Sequence, residues 1–130
     1  MGLKSLTPNL MVEDVRATVD FYRDVMGFDL LTSVPEEGDV LDWAMVQRDE
    51  VRLMFQSRSS LSSDVPSLES APIGASQTFY VEVADIQSLY DHLKGKVETI
   101  KDLHTTFYNT REFYFRDPNG YIFGFSEDIV

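Results

Sequence analysis

The chain has 130 residues, 43% of them hydrophobic, which suffices for one domain with a real core and leaves no room for a second. Its formal net charge of −11 argues against nucleic acid, which needs clustered Lys and Arg, and suits a cationic partner; it also serves simple solubility. With no cysteine, disulfides and thiolate metal sites are excluded. No stretch resembles a secretory leader or the ~20 apolar residues of a membrane span, so the expectation is a cytoplasmic protein with no membrane partner.

In chain order, the alternating stretch Leu6 to Val12 predicts a strand, and Asp14 offers an N-cap carboxylate to a following helix. Val15, Thr18, Val19, Tyr22, Val25 and Met26 recur at helical spacing as one buried face, and Gly27 suits the left-handed residue that ends such a helix. Phe28 to Ser33 reads as a strand and residues 35–39 as a turn. Val40 to Gln47 and Val51 to Gln56 read as a hairpin around Arg48-Asp49-Glu50. The stretch 57–76 is rich in Ser and Pro and aperiodic, which predicts a loose linker, one long enough to close over a groove.

The order then repeats. Thr78 to Val83 predicts a strand, Asp85 an N-cap, and Ile86, Leu89, Tyr90 and Leu93 a helix face ended by Gly95. Val97 to Lys101 predicts a further strand. Arg111 to Arg116 and Tyr121 to Ser126 predict a hairpin turned by Asp117-Pro118-Asn119-Gly120. Val12-Glu13-Asp14-Val15 and Val83-Ala84-Asp85-Ile86 hold equivalent places, which marks an internal duplication.

Two patterns carry a resemblance: strand, Val-x-Asp and a helix with Phe21-Tyr22 and Gly27-Phe28; and Arg111-Glu112-Phe113-x-x-Arg116-Asp117-Pro118-x-Gly120. From Leu6 to Glu127 the chain resembles the vicinal-oxygen-chelate superfamily of glyoxalases, bleomycin-resistance proteins and extradiol dioxygenases, and within it the bleomycin-resistance branch. The resemblance implies an α+β fold of two tandem βαβββ modules, each sheet curled into a half-open cup. One domain spans 1–130, with module 1 at about 4–56, the linker at about 57–76 and module 2 at about 77–127. Strand parity then sends Leu53, Phe55, Phe79, Val81, Val83, Phe123 and Phe125 to the core. The cup side receives Arg52, Met54, Gln56, Thr78, Tyr80, Glu82, Ile122, Gly124 and Ser126.

Metal-dependent relatives hold a divalent ion with His, Gln or Glu at positions that here fall on Thr7, Met54, Thr78 and Gly124. Such a set lacks the three convergent imidazole or carboxylate donors an ion needs. A two-residue slip brings in Asn9, Gln56, Tyr80 and Ser126, which serve no better. His92 reads as a solvated helix residue, and His104 lies in an irregular stretch near the cup mouth. The expectation is no metal and no cofactor.

Bleomycin-resistance proteins are metal-free dimers that bind a cationic, aromatic-rich drug in a groove. By that resemblance Trp43, Gln56 and Tyr80 hold groove positions, while Tyr108-Asn109-Thr110 replaces the branch's Pro-Trp-Gly and removes its stacking Trp. Tyr108 or Phe107 supplies a flat surface in its place. Glu82, Glu112 and Tyr114 share cup-side parity, and carboxylates beside aromatic faces suit a cation. The expected ligand site is therefore Trp43, Gln56, Tyr80, Glu82, Tyr108, Glu112 and Tyr114. It takes a small cationic or aromatic molecule, in a homodimer that bleomycin itself need not fit. The competing reading has these aromatics filling the sheets and the glutamates paired with Arg52 or Arg116. A metal-dependent lyase, isomerase or dioxygenase of the glyoxalase type is the alternative function, and whether any reaction is catalysed stays open: no nucleophile–base pairing is visible.

Overall fold

The computed structural model describes residues 1–74 and 76–129. Two compact units, Met1–Ile73 and Gly74–Val130, each hold one four-stranded sheet.

The first unit runs β1 (Asn9–Val12), α1 (Val15–Asp24), β2 (Asp29–Val34), β3 (Trp43–Arg48) and β4 (Val51–Ser57), with strand order β1-β4-β3-β2. β1 lies parallel to β4, and the other pairings are antiparallel. Asp14, in extended conformation, starts α1 by accepting from the Ala17 amide at 3.0 Å. Gly27, at φ 73°, takes the left-handed turn that ends it. Alternation along the strands sends Leu10, Val12, Ala44, Val46, Leu53 and Phe55 onto the helix, against Val15, Val19 and Tyr22; all are buried. The opposite face carries Asn9, Met11, Trp43, Met45, Met54 and Gln56.

Most of the stretch expected to be a loose linker is ordered. It carries α2 (Arg58–Asp64) and a 3₁₀ turn, Pro66–Leu68, while residue 75 lies outside the described residues. Ser57 caps α2 by accepting from the Ser60 amide at 3.3 Å, and Arg58 clamps the segment through the carbonyls of Glu69 (2.9 Å) and Ala71 (2.7 Å). Leu61 is the helix's buried residue. One apolar anchor among serines leaves no periodic signature, so polar contacts rather than an apolar face fix this helix.

The second unit runs β5 (Thr78–Glu82), α3 (Ile86–Leu93), β6 (Glu98–Thr105), β7 (Thr110–Arg116) and β8 (Ile122–Asp128), ordered β5-β8-β7-β6. Asp85 caps α3 by accepting from the Ser88 amide at 3.2 Å. Phe113, Phe115, Phe123 and Phe125 are buried with Ile86 and Leu93, and Phe115 stacks on Phe123 at 5.3 Å. Phe79 and Val81 are half-buried on the same side. β6 extends past Lys101, because register shifts between Thr99 and Lys101 and between Lys101 and His104 break the alternation on which a strand is recognised. His104 therefore lies within β6, opposite Glu112, and not in an irregular stretch. His92 is exposed on α3. No helix among the described residues is long and apolar enough to cross a membrane.

Candidate functional site

On the face of the second sheet away from α3, one carboxylate gathers five hydroxyls. Glu112, midway along β7, is only 1% exposed. Its Oε2 accepts from the Tyr80 hydroxyl and from Thr110 Oγ1 at 2.9 Å. Ser126 Oγ lies 3.1 Å from Oε2 and 2.8 Å from the Tyr80 oxygen. Oε1 accepts from Tyr108 at 2.8 Å, with Tyr114 at 3.4 Å. Register explains the convergence: Glu112 faces Ser126 across β7–β8, and Tyr80 runs beside Gly124 across β5–β8. Tyr108 comes from the turn before β7, where Asn109 at φ 62° reverses the chain.

Burial pushes the Glu112 pKa up, but the hydroxyls of Tyr80, Tyr108, Thr110 and Ser126 outweigh it and hold the group below the ordinary carboxylate value. The anion in turn raises the phenols. Its hydrogen bond is the main cause for Tyr80 and for Tyr108, whereas burial leads for Tyr114, followed by the charge of Glu112. Glu112 thus stays ionised at neutral pH, and no Lys, Arg or His stands within ion-pair distance among the described residues. Arg116 pairs instead with Glu98 at 2.9 Å, and Arg52 donates to Gln47 at 2.8 Å. Neither basic residue neutralises Glu112 or Glu82.

The first sheet also places a polar group on its outer face. Gln56, buried on β4, accepts from Asn9 at 2.8 Å and donates to Ser60 (2.8 Å) and Asp64 (3.0 Å), which fastens α2. Trp43 pairs with Gln56 in register and is half-buried on that face.

Of the residues expected at a ligand site, the structure brings Tyr80, Tyr108, Glu112 and Tyr114 together in the second unit, and Trp43 and Gln56 together in the first. Glu82 belongs to neither cluster: it is exposed and makes no hydrogen bond or ion pair among the described residues. Sequence reasoning places Ser126 on the cup side but gives neither it nor Thr110 a role at the ligand site, because a lone Ser or Thr on a strand carries no chemical signal until its carboxylate partner is known.

The positions at which metal-dependent relatives carry ligands do not fit an ion. Among the described residues no three His, Cys, Asp or Glu side chains group to hold one. Moreover, a side chain at Gly124 would collide with Tyr114, whose Cζ lies 2.9 Å and Cδ2 3.0 Å from where a Cβ would stand. An aromatic ring occupies the space of the fourth donor.

Tandem βαβββ units with a polar, aromatic face turned away from each helix define a class of small two-module proteins. Over residues 3–125 the chain matches the Glyoxalase/Bleomycin resistance protein/Dioxygenase superfamily, and it belongs to that family. It is 29% identical to a bleomycin resistance protein of Geobacillus stearothermophilus, over 94% of this chain and 95% of the relative. Among solved structures it is similar to TioX from Micromonospora sp. ML1, at TM-score 0.76 and 17% identity over 97% of this chain and 99% of that one. A protein of unknown function from Agrobacterium tumefaciens str. C58 superposes at TM-score 0.77 and 23% identity, over 99% and 97%.

Proposed function

We propose that this protein is a metal-free binder of a small, flat, cationic molecule of the bleomycin type, not necessarily bleomycin itself, and that the Tyr80–Tyr108–Tyr114 surface receives it. One observation carries the reading. Tyr80 is 52% and Tyr108 50% exposed, yet both are pinned to a buried ionised carboxylate that has no basic partner among the described residues. An anion behind electron-rich rings attracts a cation through charge and ring quadrupole together, and a phenol that donates to a carboxylate has its oxygen and ring polarised further. The net charge of −11 adds a long-range pull of the same sign. Trp43 supplies a second aromatic surface on the first sheet, beside Gln56, whose amide is engaged in fastening α2, and Glu82 acts from the exposed end of β5. Resemblance to the drug-sequestering branch adds a symmetric homodimer and a cytoplasmic location to the same proposal.

Calorimetric titration tests it, with flat cations and anions of equal size at two ionic strengths. The cations bind more tightly, and their advantage shrinks with salt. Equal binding of both charge classes sinks the reading. Nickel, zinc, iron and manganese should neither raise the melting temperature nor create glyoxalase activity, and elemental analysis finding about one ion per chain after dialysis revives the metal-dependent alternative. Light scattering at tens of micromolar, the order of magnitude for a stable interface, should report a dimer.

A further inference from the structure

The acceptor capacity of Glu112 is fully used. An ionised carboxylate offers about four lone-pair sites. Tyr80, Thr110 and Ser126 crowd Oε2, while Tyr108 takes Oε1 with Tyr114 behind it. A ligand cation arriving over Glu112 finds both of its oxygens engaged, and the exposed carboxylates of Glu82 and Asp128 stand at the edges of the same face.

What it meets instead is fixed by the protons. A phenol has one hydrogen, and Tyr80 and Tyr108 each give theirs inward to Glu112. Each oxygen then keeps only lone pairs for anything approaching from the exposed side. The titratable neighbours of the cluster are Tyr114 on β7, Asp128 on β8, whose charge acts on Tyr80, and, across the ladder on β6, His104, whose Nδ1 is held 2.7 Å from the Asp102 carbonyl.

We propose that Glu112 determines specificity without touching the ligand: by holding the Tyr80 and Tyr108 protons inward it makes the face an acceptor-only surface. Such a surface selects cations that present N–H donors, such as protonated amines, amidines or guanidines. It disfavours cations of equal charge that lack an N–H, and it repels carboxylates, sulfonates and phosphates. Glu112 is a positioning residue in this scheme. The inference rests on the reading that the tyrosine face is the binding surface, and goes further by naming the polar group the ligand must carry.

The experiment compares 9-aminoacridinium, N-methylacridinium and acridine-9-carboxylate by calorimetry. The first two share charge and ring but differ in N–H donation. The intact protein should prefer 9-aminoacridinium over N-methylacridinium by about tenfold, the scale of one charge-assisted hydrogen bond. In Glu112→Gln the amide brings its own N–H into the cluster, so at least one hydroxyl must turn its proton outward, and the preference should fall severalfold. Tyr80→Phe, which deletes one outward-facing acceptor while Thr110 and Ser126 still fill Oε2, should lower the same preference if the first variant fails to fold. A second readout needs no ligand: in the ultraviolet phenolate titration, late-ionising tyrosines of the intact protein should move to lower pH in Glu112→Gln. Equal binding of the two cations, both above the carboxylate, overturns this inference and leaves the proposed function standing. If neither cation exceeds the carboxylate, both fall. An unchanged preference and unchanged phenol titration in a folded Glu112→Gln also overturns it.

Discussion

The two sheets are variants of one template and solve the same problem differently. Counted back from the caps Asp14 and Asp85, Asn9 corresponds to Tyr80; by ladder register Gln56 corresponds to Ser126, Trp43 to Glu112 and Met45 to Tyr114. In the first unit the buried polar group is a neutral amide, and an added helix supplies Ser60 and Asp64 as partners. In the second it is a charge, and its partners are hydroxyls of that unit's own strands and turn. The first arrangement tethers a covering segment. The second leaves its tyrosine partners Tyr80 and Tyr108 half exposed, which is what a ligand surface needs. Duplication thus conserves the core side of each sheet and lets the other face diverge.

That equivalence of cores can be broken outright. Phe55 and Phe125 hold corresponding buried positions, so replacing either with Ala should cost about 3–5 kcal/mol in chemical denaturation. A large difference between the two would show that the units do not share the template's energetics.

The next effect separates charge from amide. Glu112→Gln should lose about 1–3 kcal/mol, since a buried charge-assisted network is left mismatched. It should also change the pH profile. Because the folded Glu112 pKa lies below the unfolded one, about 4.3, its stabilisation is complete above that value and is lost as pH falls through the lower folded one. The raised Tyr80 and Tyr108 values work at the other end: their contribution is present below about pH 10 and is lost as pH rises past it. Stability curves of the intact protein should therefore slope at both ends, and those of Glu112→Gln should be flatter at both.

In the first unit, Gln56→Leu should cost less, about 0.5–1.5 kcal/mol, and its signature should be local. Amides of 58–64 should exchange faster with solvent while those of β1 and β4 keep their protection. Uniform loss of protection would mean that the amide holds the sheet and not α2. The smallest effect is reserved for Glu82→Gln. Being exposed and unpaired among the described residues, Glu82 acts only through screened charge. Its removal should weaken cation binding at low ionic strength and make no difference at high salt, which titration at both would show.

Much of this was legible in the sequence. Both N-caps and both helix faces follow from spacing alone, and alternation together with the fold that the resemblance implies gives the burial of Leu53, Phe55, Phe123 and Phe125. Parity with the family resemblance also marked Tyr80, Glu112 and Tyr114 as neighbours, because period-two alternation puts them on one face. Tyr108 needed the resemblance, since it lies in a turn. The failures share a cause. α2 and the far half of β6 lack regular apolar spacing, the first because serines and a guanidinium fix it, the second because bulges interrupt it. Glu82 has the right parity and sits outside the cluster, since parity assigns a face but not a reach along the strand.

The ring of Tyr114 over Gly124 bears on the evolutionary reach of this chain. A family that includes metal-using enzymes invites the thought that one mutation could reinstate a ligand. Here a carboxylate or imidazole introduced at Gly124 would first have to evict an aromatic ring, and doing so would disturb a hydroxyl near Glu112. The route back to metal chemistry thus begins with a paired change, a smaller residue at position 114 together with a donor at 124, and a library of single substitutions would pass over it.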